Sequence, residues 1–485
     1  VELPRRLTRI VATLGPASLE EGVVRRMVGA GMDVARLNAS HADHAFFRRA
    51  VEEVRSAAAA ASREVAILLD LRGPKIRVGE LADSAGMDLA EGDTVTLTTE
   101  AVAGADGLIP CTYQGLARDL FAGDEVLLDD GAMKLEITER LDNARLRAKV
   151  VEGGRLLPHK GINVPGRALS TPALVQDDLR DLEAGLRLGV DYVALSFVRR
   201  PEDLHLLRGH IERLGGRAAV VAKIEKPQAL DHLEEILEAS DGVMVARGDL
   251  GVEVALERVP QLQKEIIHSA NRRGVLVITA TQMLESMIEH HRPTRAEASD
   301  VANAIFDGSD AVMLSGETAV GRYPVEAVGM MDRIAREAED SRFYHDREVG
   351  VDHPRGFGPV ERAMAWSARR VATEAQVRMI VVYTLSGRTA RVLSKLRPRL
   401  PVIAFCPDER ICRQMALFHG VVPLRSTFTD NTDSLLQEGD RLLLERGLVQ
   451  AGEKVVVLGG TMQIPGATNL LQIRKVGAPP VEPQL

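Results

Sequence analysis

Lys223 and Glu225 stand two residues apart inside the apolar run Val220-Val221-Ala222-Lys223-Ile224-Glu225, and Asp249 follows at the end of a second apolar run. Side chains at i and i+2 leave a strand on the same face, so the ammonium and the carboxylate point together. A βα unit of this length brings Asp249 alongside from the next parallel strand. Burying such charges is costly unless they are paired or bound to metal. The group therefore predicts a divalent-metal site with a cation beside it, suited to an anionic substrate. The alternative is a structural Lys/Glu pair at a strand end. With ten lysines against 51 arginines in the chain, a lysine inside a core strand is less readily a chance event.

Further polar residues close similar runs. Arg36-Leu37-Asn38-Ala39-Ser40-His41 puts Arg36, Asn38 and Ser40 on one face, and the planar fork of arginine suits phosphate. Taken singly, Asn38 and Ser40 also suit a turn or a cap. Asp70-Leu71-Arg72-Gly73-Pro74-Lys75-Ile76-Arg77 adds one acid and several bases. In Ala246-Arg247-Gly248-Asp249, Gly248 lets backbone amides approach a carboxylate, and Asp249 offers a hard oxygen to Mg²⁺. Thr281 ends another run and is either a site residue or the N-cap of a helix starting near Gln282. Thr294-Arg295-Ala296-Glu297 reads as a capping box, and His290 and His291 as surface residues. There is no Walker A loop and no zinc motif.

The elements that must position these residues are eight nearly continuous apolar runs: 9–16, 32–41, 65–73, 190–198, 218–225, 241–249, 275–281 and 311–317. Alternating with amphipathic helices, they read as parallel strands buried on both faces. Eight is the number that closes a (β/α)₈ TIM barrel, whose C-terminal strand ends carry the active site. Every run except the fourth ends in a polar cluster. The series is interrupted over 74–166 by short alternating segments and Gly-Asp turns, which predict a small β-barrel placed to act as a lid. The barrel then comprises 1–73 and 167–342. A stretch rich in Gly, Pro and charge, 341–359, reads as a linker into a separate α/β domain over 343–476. The proline-containing end, 477–485, reads as a disordered tail.

A chain of 485 residues needs more than one core. A net charge of −8 argues against nucleic acid or an anionic membrane as partner. The three cysteines, Cys111, Cys406 and Cys412, form no CxxC pair and suit a reducing compartment. No apolar stretch reaches membrane-span length, and the first residues lack a signal-peptide core. The expectation is a cytoplasmic protein.

In sequence, the blocks Arg36 to His41, Val220 to Glu225, Met244 to Gly251, Ala280 to Met287, Pro293 to Glu297 and Met313 to Thr318 resemble the signature blocks of pyruvate kinase, in order and over nearly the whole chain. The resemblance implies a (β/α)₈ barrel, an inserted β-barrel lid and a C-terminal α/β regulatory domain. It also implies phosphoryl transfer from phosphoenolpyruvate to ADP, giving pyruvate and ATP. Glu225 and Asp249 would hold Mg²⁺ or Mn²⁺. Lys223 would stabilise the transferring phosphoryl group and the enolate, and Arg36 would contact the phosphoryl group. Amides at Gly248 and Asp249 would hold the substrate carboxylate, with Thr281 where the enolate is protonated. Arg77 and Lys160, with Asn38 and His41, match nucleotide positions. Asn38, Ser40, Asp70 and Lys75 surround the place of the family's K⁺. Here Leu71 and Lys75 stand where K⁺-dependent members carry Thr and Glu, so K⁺ is not expected to be required. Thr384, Ser386, Gly387, Arg388 and Thr389 match a loop that binds a phosphorylated effector, although a loop that follows a strand and opens a helix is also what an ordinary capped turn looks like. The tryptophan and basic residues used by some relatives are not evident over 461–469, which favours AMP or a sugar monophosphate over fructose 1,6-bisphosphate. The family also suggests a homotetramer. A metal-dependent aldolase or lyase would account for Glu225 and Asp249 but not for the insert, the C-terminal domain, Arg77 or Lys160. A catalytically dead metabolite sensor would need a missing catalytic group, and none is missing.

Overall fold

The computed structural model describes residues 6–167, 169–345, 354–428, 431–460 and 468–477. Eight strands close a parallel barrel in chain order: Arg9–Leu14, Val34–Asn38, Ala66–Asp70, Tyr192–Leu195, Ala219–Ile224, Gly242–Ala246, Leu276–Ala280 and Ala311–Leu314. The last pairs with the first in the register Arg9↔Ala311. Each lies within one of the eight expected runs, and the strands are largely apolar because both their faces are buried. Ile10 and Ala12 pack outward on the helices, while Val11 belongs to the core inside the barrel. The sixth strand stops at Ala246, short of the polar residues that end its run. Asp249 in consequence rides on a short helix, Arg247–Glu253, that follows Gly242–Ala246.

The insert wraps a six-stranded sheet around its own core, which includes Val95, Leu97, Val126, Leu135 and Leu146. Strands Met87–Leu89 and Gly154–Leu156 form a separate pair. An antiparallel bridge, Arg77↔Gly161, ties the outgoing and returning chains together at the neck. Within the expected linker the chain forms the short helix Arg342–His345. The remainder of that stretch over 346–353, most of the expected tail and positions 461–467 lie outside the described residues. In the C-terminal unit, four parallel strands, Val421–Arg425, Val402–Cys406, Ile380–Tyr383 and Lys454–Gly459, are joined by an antiparallel edge strand, Leu470–Lys475. The edge strand was not expected, because one half-covered edge leaves Gln472, Ile473 and Lys475 exposed and blurs the pattern.

The floor of the barrel repeats one device four times. Asp33, Asp191, Asp241 and Asp310 each precede an even-numbered strand and accept the amide of Ile10, Ile67, Val220 and Val277 respectively, at 2.9, 2.8, 2.9 and 2.7 Å. Each amide belongs to the preceding strand, one residue before its ladder with the even-numbered strand begins. Three of the four also meet cations of the C-terminal unit. Arg413 Nε lies 2.9 Å from Asp191, Arg391 donates to the Asp241 carbonyl at 2.7 Å, and Lys395 and Arg397 both pair with Asp310.

Lys395 and Asp310 are fully buried. Asp310→Asn leaves Lys395 and Arg397 without a counter-charge and is expected to cost about 3–5 kcal/mol. Arg208→Ala, at the half-exposed pair with Asp241, should cost under about 1 kcal/mol. Urea unfolding midpoints of the two variants measure the contrast, and equal midpoints would show that the floor pair is not structural.

Candidate active site

At the opposite end of the barrel, neighbouring strands deliver a single charge network. Asp70, only 1% exposed, ends the third strand. Its Oδ2 accepts from Arg36 Nε at 2.7 Å, and its Oδ1 faces Lys223 Nζ at 3.3 Å. Lys223 lies 2.8 Å from Glu225 Oε1 and donates to Ser196 Oγ at 2.8 Å. Arg36 also donates to Thr13 Oγ1 at 2.9 Å. Period-two spacing along the fifth strand aims Lys223 and Glu225 together, as expected.

Burial alone would lower the pKa of Lys223. The attraction of Asp70, then of Glu225 and Asp249, outweighs it and holds the ammonium well above the ordinary lysine range. Burial likewise pushes Asp70 upward, but Lys223 and Arg36 more than reverse this and keep it below the usual carboxylate range. Glu225 is raised, first by burial and further by repulsion from Asp249. A divalent cation between the two carboxylates would relieve that repulsion. Glu225 Oε1 and Asp70 Oδ1 are buried with ion-pair contacts but no aligned hydrogen bond, so acceptor capacity remains. Among the described residues no group of three or more His, Cys, Asp or Glu gathers to hold a metal. Two carboxylates, with water and substrate oxygens completing the shell, fit Mg²⁺ or Mn²⁺ and do not make a soft-metal site.

The fourth strand, read as lacking a polar end, supplies Ser196 and the Phe197 amide, which donates to Glu225 Oε2 at 2.8 Å. Phe197 has a left-handed backbone (φ 55°). Gly73 allows this approach, because a Cβ there would meet the Phe197 ring at 2.8 Å. Thr13 and Ser196 escaped notice as single hydroxyls in apolar runs that also serve main-chain carbonyls, those of Leu314 and Leu71.

No helix begins at Gln282, so the capping alternative for Thr281 is not realised. Thr281 and Gln282 are both left-handed (φ 69° and 55°). Arg247, paired with Asp300, holds the Thr281 carbonyl at 2.6 Å. Thr281 Oγ1 donates to the Ala280 carbonyl and accepts the Gly248 amide at 2.8 Å. The Gly248 amide is thereby engaged, which leaves the Asp249 amide, in a first helical turn without intrahelical acceptors, as the free member of the expected carboxylate cradle. Asn38 Oδ1 accepts the Ser40 amide at 3.2 Å, the local turn its residue type allows. Thr294 and Glu297 form the expected capping box, and His290 and His291 are exposed.

A cleft of about 400 Å³ opens between barrel and insert, lined by His41, Lys75, Arg77, Lys160, Lys226 and Asp249 among others. Burial, followed by Lys75, Arg77 and Arg36, lowers the pKa of His41. Lys160 pairs with Asp129 at 2.8 Å, and Arg77 reaches the His159 carbonyl. Lys75 is exposed at the rim, and the ion pairs of Asp70 are with Arg36 and Lys223. The loop from Thr384 to Thr389 lies elsewhere, on the C-terminal unit. Gly387 there is left-handed (φ 76°) and caps helix Arg388–Lys395. Arg388 pairs with Glu361 at 2.8 Å, and Thr389 is buried against Thr468 at 2.9 Å.

Comparison with known proteins agrees with this geometry. The model for the pyruvate kinase barrel domain matches residues 5–328, and that for the pyruvate kinase alpha/beta domain matches 362–474. A pyruvate kinase of Mycobacterium tuberculosis is 43% identical over 97% of this chain and 99% of its own length. One from Corynebacterium glutamicum is 44% identical over 97% and 98%. A crystal structure of a pyruvate kinase from Cryptosporidium parvum superposes with a TM-score of 0.89 at 32% identity, covering 98% and 97% of the two chains. With the barrel and the C-terminal sheet both matched and the buried charge network at the strand ends, the chain belongs to the pyruvate kinase family.

Proposed function

We propose that the chain transfers the phosphoryl group of phosphoenolpyruvate to ADP, giving pyruvate and ATP. The observation that carries this reading is the Lys223 ammonium, buried between Asp70 and Glu225 with Arg36 on the far side of Asp70. A cation fixed in a low-dielectric pocket stabilises charge that develops during transfer, and phosphoryl transfer asks for little beyond positioning and electrostatics. The bond from phosphorus to the enolate oxygen breaks as one forms to a terminal ADP oxygen, and the enolate then takes a proton at its methylene carbon.

Arg36 engages the phosphoryl oxygens. Lys223 faces both the phosphoryl group and the enolate oxygen. Glu225 and Asp249 would hold Mg²⁺ or Mn²⁺, which supplies Lewis-acid neutralisation of the substrate oxygens when bound. The Asp249 amide faces the substrate carboxylate. The Thr281 proton is committed to the Ala280 carbonyl, which supports a role in orienting a water that delivers the enolate proton. Arg77, Lys160, Asn38 and His41 form the nucleotide side of the cleft. A homotetramer in the cytoplasm, with AMP or a sugar monophosphate as effector at the loop from Thr384 to Thr389, completes the proposal. Among the described residues no helix is long and apolar enough to cross a membrane.

Lys223→Met keeps the stem and removes the charge. Pyruvate formation in a coupled assay should fall on the order of a hundredfold or more with the fold intact by circular dichroism; near-normal turnover in the folded variant would sink the assignment.

The proposed independence from K⁺ rests on Lys75 at the cleft rim and Leu71 beside Asp70. Wild-type enzyme with Mg²⁺ in buffer free of sodium and potassium should keep most of its activity. Lys75→Glu adds negative charge to the mouth and should make activity rise steeply with added K⁺. A wild type silent without K⁺ would refute the reading.

Because Thr389 is buried, exposed Ser386 is the better probe of the effector loop. Ser386→Glu should abolish activation by AMP or glucose 6-phosphate through like-charge repulsion and leave basal turnover unchanged. Undiminished activation would place the effector elsewhere.

A further inference from the structure

Glu253 has no part in the chemistry described above, yet its side chain is only 2% exposed and bonds to Asn163 and Lys226, near neighbours in sequence of Lys160 and Glu225. It lies one helical turn beyond Asp249 on helix Arg247–Glu253, so both carboxylates project from the same side. Its Oε1 accepts from Asn163 Nδ2 at 3.1 Å and from Lys226 Nζ. Asn163 ends the returning strand of the insert, Ile162–Asn163, just after Lys160. Lys226 directly follows Glu225 and sits over the Phe197 ring at 5.6 Å. Asn163, Lys226 and Asp249 all line the cleft.

We propose that Glu253 is a positioning residue with two separable tasks: it latches the insert to the barrel through Asn163, and it holds the Lys226 ammonium away from Asp249. The second task matters because Lys226 is next in sequence to Glu225. Without a carboxylate partner, its ammonium is free to pair with Asp249 and compete with a divalent ion for that oxygen. The first task fixes the height of the insert, and with it Lys160, above the cleft. The proposal rests on the reading of Glu225 and Asp249 as the metal-holding pair.

Three variants separate the tasks. Asn163→Asp sets two carboxylates against each other. Amide hydrogen exchange of the metal-free protein should quicken across 76–164 with the barrel unchanged, and KM for ADP should rise about tenfold, the worth of one hydrogen bond, with smaller change in kcat. Its Mn²⁺ affinity by calorimetry should stay within about twofold of wild type, well short of the loss expected where a metal ligand's support is removed. Glu253→Gln keeps an acceptor for Asn163 but removes the counter-charge of the Lys226 ammonium, so Mn²⁺ affinity should fall about tenfold. In Asn163→Asp/Glu253→Gln the bond can reform with its direction reversed, and exchange over 76–164 should return toward wild type while Mn²⁺ binding stays weak. Unchanged exchange in Asn163→Asp, or no recovery in the double variant, overturns the latch. Undiminished Mn²⁺ affinity in Glu253→Gln overturns the second task. A wild type that forms no pyruvate would defeat the functional reading instead, and the exchange and calorimetric results would still decide the role of Glu253.

Discussion

The mouth of the barrel depends on keeping one ammonium ion charged inside protein. Burial pushes the Lys223 pKa down, and Asp70, Glu225 and Asp249 more than reverse this. That need propagates outward. Asp70 is shared with Arg36, so the guanidinium is oriented by the same carboxylate that stabilises the ammonium. Arg36 and Lys223 then each require a further acceptor, which Thr13 and Ser196 provide. Ser196 and Phe197 reach their places only because residue 73 has no side chain. Hydroxyl, glycine and left-handed phenylalanine thus follow from a single electrostatic demand.

Some of the left-handed backbone of the chain lies at the same strand ends. Phe197, Thr281 and Gln282 are all left-handed, a conformation costing on the order of 1 kcal/mol or more for such residues. Phe197 is held by its amide bond to Glu225, and Thr281 by Arg247, itself anchored on Asp300. The surroundings over-determine each turn, as a preorganised site requires.

Much of this was legible in the residues, and the gaps have physical reasons. Strands buried on both faces leave continuous apolar runs, so all eight barrel strands could be located, and a lysine and a glutamate two apart within one run can only share a face. Single hydroxyls such as Thr13 and Ser196 carry no comparable signal, because a threonine or serine in a strand is ordinary. The Phe197 contribution is a main-chain amide and has no side-chain trace. The engaged Gly248 amide depends on the turn at Thr281, which residue type alone does not specify. Lys75 was assigned to the neighbourhood of Asp70 by resemblance alone; its side chain is exposed on the cleft, and Asp70 pairs with Arg36 and Lys223. The edge strand Leu470–Lys475 shows neither clean alternation nor a full apolar run, since half its surface faces solvent.

The four aspartates beneath the barrel carry a consequence for how the chain comes apart. The apolar core inside the barrel, with Val11, Tyr192 and Met313, is continuous with Phe357, Ala365 and Met415 of the C-terminal unit, and Tyr192 donates its hydroxyl to the Gln414 carbonyl at 2.6 Å. The C-terminal unit is in effect a stopper, supplying both the last layer of packing and the counter-charges for three of the four carboxylates. Barrel and stopper share one core and are expected to melt as one cooperative body, whereas the insert, with a core of its own, is expected to unfold as a separate unit.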